Sequence, residues 1–174
     1  YLREGFSALK RAQVAVINKC NYADPQNKSW IENQCLRYLK KDRIFYSDFV
    51  FSHWEPLVES LQVDHSGQRI SMSCGVGNPG AFLKTLEQQS IMPVKKFIFP
   101  DHYYWKPADI ERMTYNMKRE DSFHLMITEK DAVKLNRYKK HFEEMKIQVW
   151  ICKMKVQLKE REQEFFQLLE GIQS

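Results

Sequence analysis

Three short stretches of this sequence combine residue types that can move protons or grip phosphate. Pro100-Asp101-His102-Tyr103-Tyr104-Trp105 sets a carboxylate beside an imidazole among aromatics. Such a pair at a strand end can supply a base, an acid or a metal ligand. A loop histidine that is merely hydrogen-bonded at the surface accounts for the same residues. Thr128-Glu129-Lys130-Asp131 has the [ST]-x-x-[DE] form of a capping box, with Thr128 accepting from the Asp131 N–H while the acid returns to the cap. Its functional alternative is that Lys130, or the helix N-terminus behind Thr128, faces a phosphate or nucleotide. Arg3-Glu4 is either a surface ion pair or an arginine placed to bond phosphate bidentately.

Gly75-Val76-Gly77, with Gly80, has the spacing of a dinucleotide-binding turn. That motif also needs an acidic residue about 20 positions on, closing a second strand, and none stands there. Pro79 opens the following helix, so a plain tight turn is the simpler expectation. No GxxxxGK[ST] occurs: Lys28-Ser29 and Lys84-Thr85 both lack the preceding glycine. The chain therefore shows no loop with which to hold ATP alone.

The elements that must position these stretches alternate. A short helix near Phe6–Ala12 precedes a strand at Val14–Ile17, and Ile31, Cys35 and Leu39 space a helix from about Pro25 to Lys40. Ile44–Phe51 is expected as a strand, and Trp54–Leu61 as a short helix or turn. Further strands are expected at Ile70–Cys74, Lys95–Phe99, Phe123–Ile127 and Lys146–Cys152. Between them lie helices carrying Phe82, Leu83 and Leu86, then Ile110, Met113 and Met117 after Pro107, then Ala132, Leu135, Tyr138 and Phe142. A last helix bears Phe165, Leu168, Leu169 and Ile172. Strand–helix alternation of this length implies right-handed crossovers and an α/β fold with a mostly parallel sheet and helices on both faces. Ligands of such sheets approach the carboxyl ends of the strands. Here those are the loops at Asn18–Cys20, Gly75–Pro79, Pro100–Trp105 and Thr128–Asp131.

The 174 residues suffice for one sizeable core, and their 43% apolar and 28% charged composition is ordinary for a globular protein. No apolar run approaches the roughly 18 residues of a membrane span. The start at Tyr1-Leu2-Arg3-Glu4, charged and without Met, suggests a fragment. The net charge of +5 suits a phosphate-bearing substrate, an anionic membrane or nucleic acid. Its densest cluster, Arg37–Arg43, fits either a solvated helix end or a binding patch. Cys20, Cys35, Cys74 and Cys152 stand far apart without zinc-ligand spacing, and three of them sit in or beside apolar segments as reduced core thiols, natural to a reducing cytosol.

Taken together, the motifs resemble the tetraacyldisaccharide 4'-kinase family. Leu2-Arg3-Glu4, Ser7–Ala12 and the strand ending Asn18-Lys19 resemble the middle of that family's sequences; Gly75-Val76-Gly77-Asn78-Pro79-x-x-Phe82, Phe99-Pro100-Asp101-His102 and Thr128–Leu135 resemble its later blocks, in the same order. The resemblance implies the C-terminal part of a P-loop-type, Rossmann-like kinase, with residues 1–20 ending its nucleotide-binding core and 21–174 forming a C-terminal α/β domain. It implies ATP-dependent phosphorylation of the 4'-hydroxyl of a tetraacyldisaccharide 1-phosphate in lipid A biosynthesis. The enzyme would lie peripherally on the cytoplasmic side of the bacterial inner membrane, with glycolipid as partner and no nucleic acid. ATP and Mg2+ would be bound mainly by an N-terminal half, so this piece alone is expected to be inactive. By the same resemblance His102 is catalytic, hydrogen-bonding that half's catalytic Asp, while Arg3, Glu4 and Asp101 bind substrate. Thr128 and Lys130 are the candidates for nucleotide contact, and no residue is expected to bind metal. A non-catalytic α/β module for nucleic acid or another anionic partner is the alternative. Three positions depart from the family pattern: Gly5 replaces a proline, Tyr103 a second histidine and Lys106 a helix-capping threonine, which weakens that cap.

Overall fold

The computed structural model describes residues 4–61 and 67–172. In chain order these form β1 (Ala15–Ile17), α1 (Pro25–Leu36), β2 (Ile44–Pro56), β3 (Ile70–Cys74), α2 (Pro79–Gln88) and β4 (Lys95–Ile98). Then follow α3 (Pro107–Arg119), β5 (His124–Thr128), α4 (Glu129–Leu135), α5 (Lys139–Glu144), β6 (Gln148–Leu158) and α6 (Glu162–Ile172). The strands are ordered β1-β2-β6-β5-β3-β4. Pairs β1–β2, β3–β4, β3–β5 and β5–β6 are all parallel, in registers such as Met72↔Met126 and Met126↔Trp150. Lys159 donates to the Tyr46 carbonyl and Leu57 to that of Val149, so β2 and β6 run in opposite directions. The expected α/β fold with a mostly parallel sheet is the one observed.

Two compact units share the chain, one taking it up to Val50 and again from Lys155, the other Phe51–Met154. In the first, Ile17, Cys20, Cys35 and Ile44 form a small core beneath α1, and Phe165 of α6 packs edge-on against Phe45 at 5.1 Å. In the second, side chains alternate across each strand as the pleat requires. Leu125 and Ile127 of β5, with Val149 and Ile151 of β6, meet Ile110, Met113 and Met117 of α3, Leu135 of α4 and Phe142 of α5. Met72, Cys74 and Met126 turn to the opposite face and meet Phe82 and Leu86 of α2. Helices thus cover both faces of this unit.

Helix starts follow local chemistry. Asp24 and Asn78 cap α1 and α2 through Gln26 N and Ala81 N, and proline takes the first helical position in α1, α2 and α3, where its missing N–H costs nothing. Ser90, Asp121 and Lys146 adopt positive φ just past α2, α3 and α5. There Ile91, Ser122 and Ile147 donate back to Leu86, Met117 and Phe142, closing Schellman-type ends without glycine.

Four boundaries differ from the sequence expectation. Trp54 belongs to β2, which runs on to Pro56; only Glu59–Leu61 turns, as a 3-10 segment. Pairing with β6 outweighs the helical spacing of Trp54, Leu57 and Leu61. α1 stops at Leu36, and Lys41–Arg43 form a separate 3-10 turn, so most of the basic cluster lies beyond the helix end. The helix expected from Thr128 through Phe142 is broken by a 3-10 turn at Asn136–Tyr138, where Tyr138 donates to the Trp105 carbonyl at 2.8 Å. Finally, β6 continues past Cys152 to Leu158.

Candidate active site

The carboxyl ends of β3, β4 and β5 hold three of the sequence motifs against one another, all within the Phe51–Met154 unit. The joint is Asp131, fully buried on the first turn of α4. Its backbone N–H reaches the Thr128 hydroxyl at 3.3 Å, the capping bond expected from the sequence. The other half of the expected box is different. The Asp131 carboxylate accepts the Thr128 hydroxyl at 2.7 Å and then crosses to the next strand, accepting the Gly75 N–H at 3.1 and 3.2 Å. The motif is therefore more than a helix cap: it ties the β5–α4 junction to the glycine turn after β3.

That turn is crowded from two sides. A Cβ on Gly75 would lie 3.3 Å from both the Asp131 carboxylate and the Pro100 carbonyl, and 3.4 Å from Tyr103 Cβ. One on Gly77 would lie 3.2 Å from the Asp101 carboxylate. Both glycines sit in close approach to neighbouring groups, as a tight turn packed between loops has them. Gly75→Ala is expected to lower stability by about 1–3 kcal/mol, the range for overpacking a filled site. A thermal midpoint equal to that of the parent protein would remove this explanation.

The β4–α3 loop carries the Asp101-His102 pair. Asp101 Oδ1 accepts the His102 backbone N–H at 3.0 Å, and His102 Nε2 stands 3.7 Å from Asp101 Oδ2. His102 has φ +60°, and unlike Ser90, Asp121 and Lys146 it does not end a helix. A non-glycine residue held there costs of order 1–3 kcal/mol, and such positions cluster where function demands a particular side-chain direction. The imidazole is 83% exposed, so the ring is open to a group arriving from outside the loop.

Aromatic packing anchors the loop on either side of the pair. Phe99, Tyr103 and Trp105 stack within 5.8 Å of one another, and Trp105 is fully buried. Tyr103 donates its hydroxyl to Asp109 Oδ2 at 2.8 Å, and that oxygen also accepts the Lys106 N–H at 3.1 Å. Burial opposes ionisation of Asp109, but the bonds from Tyr103 and Lys106 outweigh it and hold the carboxyl below its ordinary range; the same bond raises the Tyr103 phenol. The lysine at the cap position is thus offset by a carboxylate three residues on. Tyr103 serves as a strut for α3. Neither Asp109 nor the Asp131–Gly75 bond was anticipated from sequence. The short acid at the third helical position, in both Pro107-Ala108-Asp109 and Glu129-Lys130-Asp131, was the available signal.

A second polar group flanks β6. Lys153 Nζ contacts Glu129 Oε2 at 2.9 Å and Glu55 Oε2 at 3.7 Å, while Glu129 Oε1 accepts the Met154 N–H at 2.9 Å. Burial disfavours the Glu129 charge, yet the Met154 amide and the Lys153 ammonium hold its pKa below the usual value, so this arrangement is structural. Cys74 and Cys152 lie beneath these loops, their thiols pushed up by burial to about 11 and about 12, which leaves them unreactive.

The remaining candidates are placed as follows. Thr128 is the α4 cap and Lys130 is exposed beside it. Glu4 is exposed and pairs with Arg11 in the other unit. Arg3 lies outside the described residues. Among the described residues, no group of three His, Cys, Asp or Glu is placed to hold a metal ion.

The tetraacyldisaccharide-1-P 4'-kinase (LpxK) family model matches residues 1–173. The tetraacyldisaccharide 4'-kinase of Halothermothrix orenii is 28% identical over 174 aligned residues, covering 91% of this chain and 45% of the relative. That of Gluconobacter oxydans is 38% identical over 80 residues, covering 46% and 23%. The chain therefore spans about half the length, or less, of the curated relatives it matches. The crystal structure of LpxK from Aquifex aeolicus, in complex with ATP, superposes with a TM-score of 0.57 at 22% identity, covering 98% of this chain and 46% of that one, a likeness of fold. With a match running from its first residue to its last but one, and with that family's motifs gathered at the carboxyl ends of β3, β4 and β5, the chain belongs to the tetraacyldisaccharide-1-P 4'-kinase family.

Proposed function

We propose that this chain is the C-terminal portion of an ATP-dependent kinase that phosphorylates the 4'-hydroxyl of a tetraacyldisaccharide 1-phosphate. The observation that carries the proposal is the exposed, positive-φ His102 held beside Asp101 by the Gly77 turn and the aromatic loop, at the sheet end where α/β ligands bind. Phosphoryl transfer depends on positioning and charge stabilisation more than on covalent chemistry. ATP would serve as the phosphoryl donor. The residues present here do not fit an ATP cradle, since no GxxxxGK[ST] occurs, nor do the described ones offer a ligand set for Mg2+. Both would be held mainly by the additional segment that the longer relatives carry.

In this arrangement residues 1–20 end the nucleotide-binding core, and the rest supplies one wall of the cleft. His102 would orient and tune a carboxylate that accepts the sugar hydroxyl's proton. Asp101, Arg3 and Glu4 would contact substrate, with Thr128 and Lys130 toward the nucleotide. No helix among the described residues is long and apolar enough to cross a membrane; in this reading the glycolipid would be met by peripheral association, on the cytoplasmic face of the inner membrane.

Two measurements test the reading. The protein of full family length, given radiolabelled ATP and tetraacyldisaccharide 1-phosphate, is expected to transfer label to the lipid; a well-folded protein that transfers none would overturn the proposal. The 174-residue chain by itself is expected to bind ATP–Mg negligibly in a calorimetric titration. Tight, saturable binding there would mean that an ATP site has been overlooked in these residues.

A further inference from the structure

The exposed side of α4 carries a feature of which the catalytic reading uses only Lys130. Lys130, Val133 and Lys134 recur at intervals of three and four residues and so share one face of α4, while Asp131, Ala132 and Leu135 turn into the core; Arg137 follows in the 3-10 turn beyond the helix end. Val133 is 81% exposed and Tyr104, in the neighbouring loop, 70%. The Arg137 guanidinium lies over the Tyr104 ring at 4.4 Å and the Tyr138 ring at 4.8 Å. It also donates to the Tyr104 hydroxyl at 2.5 Å, the Tyr138 hydroxyl at 2.9 Å and the Trp105 carbonyl. Its charge is thereby fixed at the surface. Lys130 and Lys134 make no ion pair with any described residue, and the nearby acids are otherwise engaged: Asp131 with Gly75, Glu129 with Lys153. Asp101, half-exposed beside His102, is the exception.

We propose that this face of Lys130, Val133, Lys134, Arg137 and Tyr104 is the surface through which the protein rests on an anionic phospholipid bilayer. Unpaired lysines gain from the negative potential of such a surface, and an exposed aliphatic or aromatic group between them gains by entering the headgroup region. A nucleic acid would match the charge but offer nothing to Val133, and the Tyr104 ring is already covered by Arg137 instead of being open for base stacking. Lys130 lies two residues past the β5 end and Tyr104 two residues from His102, so the face adjoins the proposed site. The proposal deepens the lipid-kinase reading, by stating how that site reaches a membrane-embedded substrate, and rests on it for its purpose only.

The test is vesicle binding by the full-length protein, using phosphatidylcholine with and without phosphatidylglycerol. The parent protein is expected to bind only the anionic vesicles, and less as salt is added. Lys130→Gln with Lys134→Gln is expected to weaken binding about thirtyfold, at roughly fivefold per cation. Val133→Ser is expected to weaken it further at unchanged salt dependence. Lys130 and Val133 are exposed and Lys134 is half-buried, and equal thermal midpoints would confirm that the variants are folded. Equal binding to neutral vesicles, or unchanged affinity in the double variant, would overturn the proposal. So would tighter binding to a single-stranded oligonucleotide than to vesicles, indifferent to Val133→Ser. A protein that binds through this face yet transfers no phosphate removes the kinase reading and leaves the surface standing. An active kinase whose vesicle binding ignores these residues does the reverse.

Discussion

If the proposed activity holds, replacing His102 with alanine in the protein of full family length is expected to lower kcat by roughly 10²–10⁴-fold, the range for a general acid–base contribution. KM for ATP and for the glycolipid should change far less, because in the proposed arrangement both would be held by other residues and an interaction made in the transition state is expressed in kcat. The geometry separates this outcome from a structural one. The His102 ring is 83% exposed and belongs to no hydrophobic cluster, so its removal creates no cavity. Its backbone bond to Asp101 Oδ1 survives the substitution. The thermal midpoint of His102→Ala should therefore stay close to that of the parent, since alanine at positive φ differs little from histidine there. Near-normal kcat in the folded variant would eliminate the catalytic role, and the Asp101-His102 pair would then be a loop-shaping element.

Asp131→Ala should have the largest effect on stability, about 2–4 kcal/mol. The carboxylate is fully buried and receives both the Gly75 N–H and the Thr128 hydroxyl. Removing it leaves those donors without a partner in a site closed to water, where an unpaired donor costs about 1–3 kcal/mol and a bond to a charged acceptor contributes about 1.5–3. The two losses overlap and do not simply add. For a chain of this size, a change of that order lowers the thermal midpoint by roughly 5–15 °C. Asp131→Asn retains one acceptor oxygen and should fall between. If the midpoints of all three proteins coincide in a calorimetric scan, the Asp131–Gly75 bond is not what holds the β3 and β5 ends together. Loss of turnover in Asp131→Asn at temperatures where it remains folded would show that the glycine turn and the Asp101 carboxylate against Gly77 must be held in register for catalysis.

The two substitutions probe different layers of one arrangement. His102 is exposed at the sheet end and in the proposed arrangement would meet what enters the cleft, whereas Asp131 ties the glycine turn to the β5–α4 junction. Their effects are expected to appear in different observables, kcat for one and stability for the other.

How much of this was legible beforehand depends on whether the cause was local. The α/β class, the last four strands and the starts of α2 and α3 follow from apolar periodicity and from Asn78-Pro79 and Pro107, because caps and strand faces depend on residues a few positions apart. The clustering of motifs at strand carboxyl ends follows from the parallel crossovers themselves. Trp54 illustrates the limit: its helical spacing toward Leu57 and Leu61 is a local signal, and pairing with a strand about a hundred residues later overrides it. The broken helix at Asn136–Tyr138 has the same origin, since Tyr138 and Arg137 are drawn to the Trp105 carbonyl from another loop.

For the site, residue types alone singled out Asp101, His102, Thr128, Lys130 and Asp131, and left open whether the Thr128–Asp131 block did anything beyond capping. That question could not be answered from spacing, because the decisive partner, the Gly75 N–H, lies 56 residues away. The crowding around Gly75 and Gly77 is likewise invisible in a string of letters; it arises only when the ends of β3, β4 and β5 are brought side by side. Sequence determined which chemistry was present and on which elements it sat. Tertiary structure decided which of those groups touch, because contact between strand-end loops is set by the order of strands in the sheet and not by distance along the chain.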